Sequence, residues 1–147
     1  MKQFQFTLQD KIAHFEQVCR DANLKLTHQR QEIFRELASA TDHPSTEVLY
    51  IRLRKTLPTI SLDTIYRTLA TFEEHGLISR VQTVESHTRY EAEMEPHHHA
   101  ICRKCGKITD FRWTSFDKIQ LPHEISGWGR IEDKRMTLRG ICEECAG

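Results

Sequence analysis

Apolar residues recur at helical spacing through the first half of the chain. In "TLQDKIAHFEQVCRDANL" the positions Leu8, Ile12, Phe15, Val18, Cys19 and Ala22 form one stripe. Thr7 with Asp10 three residues on marks the helix start. "LTHQRQEIFRELASA" repeats the pattern, with Thr27 as N-cap and Ile33, Phe34, Leu37 and Ala38 on one face. "HPSTEVLYIRLRKTLP" predicts a helix that starts at Ser45 and has ended by Pro58. "SLDTIYRTLATFEEHG" predicts another, from an N-cap at Ser61 to Gly76, that buries Leu62, Ile65, Leu69 and Phe72. The period then drops to two. "LISRVQTV" and "TRYEAE" alternate, with "ESH" between them as a turn, which predicts a short hairpin. Helices followed directly by a hairpin describe a winged helix-turn-helix.

The acidic, proline-ended stretch "EAEMEP" is the natural place for a hinge. Beyond it the pattern predicts a strand in "HHHAICRK", a tight turn at Gly106 and a second strand in "KITDFRW". "SFDKIQLPHEISG" predicts a helix broken near Pro122, "RIEDKRMTLRGI" a further strand, and "CEEC" closes the chain. The fold class expected is α+β: a winged-helix DNA-binding domain over residues 1–91, a hinge over 92–96 and a small α/β domain over 97–147.

Composition narrows the setting. Charged residues make up 29% of the 147, as in a water-soluble globular chain. No apolar run approaches the roughly 20 residues that span a bilayer. "MKQFQFTLQDK" lacks the apolar core of a secretory signal, so a cytoplasmic location and no membrane partner are expected. Lys plus Arg equal Asp plus Glu at 21 each, so any nucleic-acid contact must come from a local cluster rather than a global field.

Such a cluster exists. With Leu62, Ile65, Leu69 and Phe72 turned inward, the other side of that helix carries Asp63, Thr64, Tyr66, Arg67 and Thr71 near its start. Arginine can grip the edge of guanine, and Thr or Tyr can reach phosphate or a thymine methyl. Thr64, Tyr66 and Arg67 are therefore candidate DNA-reading residues, and Arg52, Arg54 and Lys55 on the preceding helix are candidates for the phosphate backbone.

Four of the five cysteines form two C-x-x-C pairs, Cys102 with Cys105 and Cys142 with Cys145. In a reducing compartment two such pairs point to one closed tetrahedral zinc site with a structural role. Cys19 lies on an apolar stripe and reads as a small buried thiol. On a strand His97 and His99 face one side, while His98 and Cys102 face the other. One ion served by both sets is not expected. His43, Glu91 and Asp110 are further candidate ligands; imidazole with carboxylate suits Fe(II), Mn(II) or Zn(II).

Together "LTHQR", "HPSTEVLY", "ISLDTIYRTLATFEEHGLI", "RYE", "HHHAICRKCGKITDF" and "GICEEC" resemble the ferric-uptake-regulator (Fur) family over nearly the whole chain. The resemblance implies a homodimeric metal-dependent repressor of double-stranded operator DNA, with the second half as dimerisation domain. It implies structural zinc at Cys102, Cys105, Cys142 and Cys145. It also implies a regulatory Fe2+ or Mn2+ held by His43, Glu91, His97, His99 and Asp110. Asp110 in "CGKITDF" makes the chain most similar to the peroxide-sensing branch (PerR). That branch implies oxidation of His43 or His97 by hydrogen peroxide at an Fe(II) site. Glu91 departs from the aspartate usual there and matches the iron-sensing regulators. Pro96 stands where many iron regulators carry the first histidine of a further site, of which His98 and Asp117 would be remnants.

Two functions compete with peroxide sensing. One is an iron-uptake repressor that senses Fe(II) alone. The other is a non-haem metalloenzyme, which would need a substrate pocket and an acid or base beyond the ligands. No such group is evident, and that reading leaves the helical half without a role. A zinc-dependent interaction module would explain the cysteines but not His43, Glu91 and Asp110.

Overall fold

The computed structural model describes residues 6–83, 88–93 and 95–147. The chain divides into two compact units, residues 1–94 and 95–147. The turn expected at 85–87 and Met94 within the expected hinge lie outside the described residues.

The first unit is built from four helices: α1 (Leu8–Asp21), α2 (His28–Ser39), α3 (Thr46–Leu53) and α4 (Leu62–Glu74). Each starts where a hydroxyl side chain can satisfy an otherwise unpaired backbone N–H. Thr7 accepts from the Asp10 amide at 3.1 Å while the Asp10 carboxylate accepts from the Thr7 amide at 2.9 Å, a reciprocal capping box. Thr27, Ser45 and Ser61 cap the other three helices from the side chain. α4 stops because Gly76 takes φ +69°, which turns the chain back so that the Leu77 amide reaches the Phe72 carbonyl at 2.9 Å.

The apolar stripes meet in one core. The rings of Phe15 and Phe34 stack at 4.3 Å, and Phe72 stands edge-on to them at 5.3 and 6.0 Å. Ile33, Leu49, Ile65 and Leu69 fill the space around these rings and are fully buried, and Cys19 is buried among them. Leu62 is only half-buried; Thr68 takes an inward place further along α4 and donates its hydroxyl to the Thr64 carbonyl at 2.7 Å. After α4 come β1 (Ser79–Val81) and β2 (Arg89–Glu91), antiparallel, with Ser79 opposite Glu91. A single bridge links Arg89 to Ser45, so the second strand of the wing is stitched to the start of α3. This unit is a winged helix-turn-helix, and its hairpin strands are shorter than the alternating pattern suggests.

The second unit is a three-stranded sheet in the order β4-β3-β5: β4 (Ile108–Phe111) runs antiparallel to β3 (His98–Cys102), and β5 (Thr137–Gly140) runs parallel to it. Between β4 and β5 lie only a one-turn helix, α5 (Thr114–Asp117), and a 3-10 turn at His123–Ile125. The helix expected in this segment, broken near Pro122, is reduced to these two short turns on either side of that proline. α5 has no side-chain cap, and Pro122 breaks the chain direction before the 3-10 turn. The unit also buries little apolar surface of its own. Ile101 and Cys102 are its only buried apolar side chains among the described residues, while Ile119, Trp128, Leu138 and Ile141 are exposed. α6 (Glu143–Ala146) ends the chain.

Candidate metal centres and the DNA-facing helix

In the first unit His43 and Glu91 face each other. His43 Nε2 lies 3.1 Å from Glu91 Oε2, and both side chains are only 6% exposed. A buried carboxylate beside a buried imidazole is costly unless each has a partner. The other Glu91 oxygen, Oε1, accepts from Ser79 Oγ at 3.3 Å, as the strand register dictates. His43 reaches its place through an unusual backbone, φ +52°, in the short loop ahead of α3. The described residues of this unit therefore offer one nitrogen and one oxygen donor at a single point.

In the second unit His97, His99 and Asp110 converge. Their closest approaches are His97 Nε2 to His99 Nε2 at 3.1 Å, His99 Nε2 to Asp110 Oδ1 at 3.4 Å and His97 Nε2 to Asp110 Oδ1 at 4.0 Å. Pairing β3 with β4 puts His99 directly across from Asp110. His97 Nδ1 donates to the Glu95 carbonyl at 2.9 Å, which leaves the lone pair of the neutral ring on Nε2, aimed at His99. Two imidazole Nε2 atoms and a carboxylate around one point suit a divalent cation of intermediate softness.

His98 points elsewhere. Its Nδ1 accepts from the Met136 amide at 2.9 Å and its Nε2 donates to Asp117 at 2.8 Å, with the rings of Phe111 and Phe116 beside it. Both ring nitrogens are thereby used within the protein, and Asp117 is tied to the ring. The ring is buried and links β3 to α5 and to the start of β5.

The four C-x-x-C sulfurs form a separate group whose Sγ atoms all lie within 4.8 Å of one another. Cys105 and Cys142 are 3.8 Å apart, too far for a disulfide and equal to the edge of about 3.8 Å that a zinc tetrathiolate tetrahedron requires. The amides of Cys105 and Cys142 donate to Cys102 Sγ at 3.5 and 3.3 Å. These N–H groups pull the Cys102 thiol down to about 6. Cys145 is pushed up to about 12 by the sulfurs packed against it, Cys142 foremost. Such mutual opposition to ionisation is what a divalent cation at the centre would relieve. No coordination position stays open in a four-thiolate shell, so the set fits a structural ion.

Of the candidate DNA residues, Tyr66 and Arg67 stand exposed on α4 and Thr64 is half-buried. The Tyr66 hydroxyl donates to Glu47 of α3 at 2.7 Å, and Arg67 Nε donates to Asp63 at 2.8 Å. Arg54 and Lys55 are exposed, whereas Arg52 is half-buried and forks onto the Asp42 carboxylate. That contact holds the Asp42 carboxyl below its usual range. The groups that sequence reasoning did not anticipate are those behind the ligands: Asp42, Ser79, Arg89 and the Glu95 carbonyl. Nothing in their spacing marks them, because they act through tertiary contacts.

Known proteins carry the same arrangement of elements. The ferric uptake regulator family profile matches residues 21–139. The peroxide-responsive repressor PerR of Staphylococcus epidermidis is 35% identical over 127 residues, covering 86% of this chain and 84% of that protein. The peroxide operon regulator of Bacillus subtilis is 30% identical over 128 residues, covering 86% and 88%. Among solved structures, the Helicobacter pylori ferric uptake regulator Fur, described as having three functional metal binding sites, is similar over 100% of this chain and 98% of that one, with a TM-score of 0.79 and 29% identity. The chain belongs to the ferric uptake regulator family, whose members are DNA-binding transcriptional regulators and not enzymes.

Proposed function

We propose that this protein is a homodimeric, metal-dependent repressor of operator DNA that senses peroxide at an iron(II) site. The observation that carries the reading is the convergence of donor atoms: His97, His99 and Asp110 within one unit, and His43 with Glu91 within the other. In this reading the five side chains serve one regulatory ion. Its binding selects one arrangement of the two halves and so raises affinity for DNA. Mn(II) would fill the same donor set without reacting.

His97 and His99 would each supply an Nε2 donor, Glu91 and Asp110 the negative charge, and His43 a third nitrogen. Iron(II), when bound, would supply the redox reactivity by which hydrogen peroxide adds an oxygen atom to the ring of His43 or His97 and leaves as water. The altered ring binds metal less well, and the halves separate from the arrangement that fits DNA. Zinc at the four cysteines holds the chain end against β3. Dimerisation accounts for the exposed Ile119, Trp128, Leu138 and Ile141 of a unit that otherwise buries little apolar surface. The start of α4 reads bases through Thr64, Tyr66 and Arg67, while Arg54 and Lys55, with Arg52, lie against phosphates.

The test is to load the protein with Fe(II) or Mn(II) in parallel, expose both to hydrogen peroxide, and measure operator binding together with peptide masses. Loss of binding in the iron form alone, with one oxygen gained on the peptide carrying His43 or His97, is the expected result. Binding that survives in the iron form supports the second reading, an iron-sensing repressor without peroxide chemistry. Glu91 and the fold similarity to Helicobacter pylori Fur favour that reading. Operator binding that ignores metal in both arms would remove both readings.

A further inference from the structure

We infer that Arg89 is a positioning residue for the regulatory metal, acting by holding the His43 loop in its left-handed backbone; this rests on the assignment of His43 as a ligand.

The loop is improbable on local grounds. His43 has φ +52°, a region that L-residues with a Cβ avoid. It also precedes Pro44, and the ring of a following proline narrows the backbone choices further. Such a conformation persists only where its surroundings over-determine it. The surroundings here are specific. Arg89 Nη1 donates to the carbonyls of both Asp42 and His43, each at 3.3 Å, so one guanidinium nitrogen straddles the strained residue. The next residue of β2, Tyr90, donates its amide to the Pro44 carbonyl at 3.1 Å. On the other side the Asp42 carboxylate is gripped by the Arg52 fork.

The consequence is geometric. Arg89 lies two residues before Glu91 on β2, and His43 Nε2 lies 3.1 Å from Glu91 Oε2. The strand that supplies the carboxylate thus also fixes the backbone that supplies the imidazole. Arginine suits the task because its guanidinium always keeps its charge and its rigid plane holds Nη1 in a fixed direction between the two carbonyls. Lysine would offer a compact point charge. The arrangement makes the His43–Glu91 spacing a property of one strand and one loop. Loss of Arg89 frees the loop to relax to ordinary φ and carries the imidazole away from Glu91.

The experiment uses the full-length, zinc-loaded protein and measures Mn(II) affinity by electron paramagnetic resonance of the free ion. The variants are Arg89→Met, Arg89→Lys, His43→Ala and the double variants. Arg89→Met is expected to weaken Mn(II) binding about 10- to 100-fold, the range for groups that orient a ligand from behind. Arg89→Lys is expected to recover part of that loss. In the His43→Ala background neither change at Arg89 is expected to weaken binding beyond about twofold, because the ligand it positions is already gone. Wild-type affinity in both Arg89 variants overturns the inference. So does an equal loss with and without His43, which would mark a general structural role. If Arg89→Met loses the helical circular dichroism of the wild type, Arg89→Lys alone decides by the same comparison. If His43→Ala itself binds Mn(II) like the wild type, the ligand assignment has failed, a result distinct from failure of the Arg89 role.

Discussion

His99 and Asp110 face each other across the β3–β4 pair, with His99 Nε2 3.4 Å from Asp110 Oδ1. The hairpin turn around Gly106 sets this register, and the register sets which carboxylate meets the imidazole. Asp110→Asn keeps the shape and removes the charge. It is expected to weaken Mn(II) binding by about tenfold or more, with zinc content unchanged; calorimetric titration beside zinc analysis checks both.

His43→Ala and His97→Ala each remove a nitrogen donor without touching α4. Metal-dependent operator binding is expected to be lost in both, while the helical circular dichroism of the first unit stays. Gel-shift titration with Mn(II) is the measurement, and undiminished binding would count against the ligand assignments.

Cys142→Ser breaks the four-sulfur shell whose Cys105–Cys142 spacing is 3.8 Å. Zinc is expected to leave, and the second unit, which has few buried apolar side chains of its own, is expected to lose its order and its self-association. Native mass measurement reports zinc and dimer together. A zinc-free variant that remains a stable dimer would contradict the structural role.

Phe72 is fully buried, edge-on to Phe15 and Phe34. Phe72→Ala is expected to cost about 3–5 kcal/mol of stability through lost contact and the cavity left behind. Chemical denaturation monitored at helical wavelengths measures it.

Arg67 leans on Asp63, one turn back on an exposed face, so their ion pair adds little to stability. Arg67→Ala is expected to lower operator affinity by about 1–3 kcal/mol and to relax the preference at one base pair. Asp63→Ala leaves the arginine in place and is expected to change specificity less. Competition binding with operator variants separates the two.

The first half is legible in the sequence because its signals are local. A hydroxyl cap and an apolar stripe of helical period specify each helix within its own residues, and Thr7, Thr27, Ser45 and Ser61 all cap where the pattern places them. The two C-x-x-C pairs are legible for the same reason, since a two-residue gap already brings two sulfurs together. The segment between β4 and β5 reads as a helix but forms only short turns. Ile119, Leu121 and Ile125 of this segment stay exposed, and periodicity alone does not reveal whether a stripe has a partner.

The chain alone thus determined where each helix of the first half begins, which residues are chemically able to bind metal, and that the two C-x-x-C pairs and the H-x-H pair are separate sets of donors. The tertiary structure decided how those donors are held. It placed His43 against Glu91 through a left-handed residue before a proline. It fixed the lone pair of His97 through the Glu95 carbonyl. It used both nitrogens of His98 for hydrogen bonds, and it drew Arg52 onto Asp42. Most of these outcomes depend on contacts between residues distant in sequence, whose energies arise only once folding has brought the elements together.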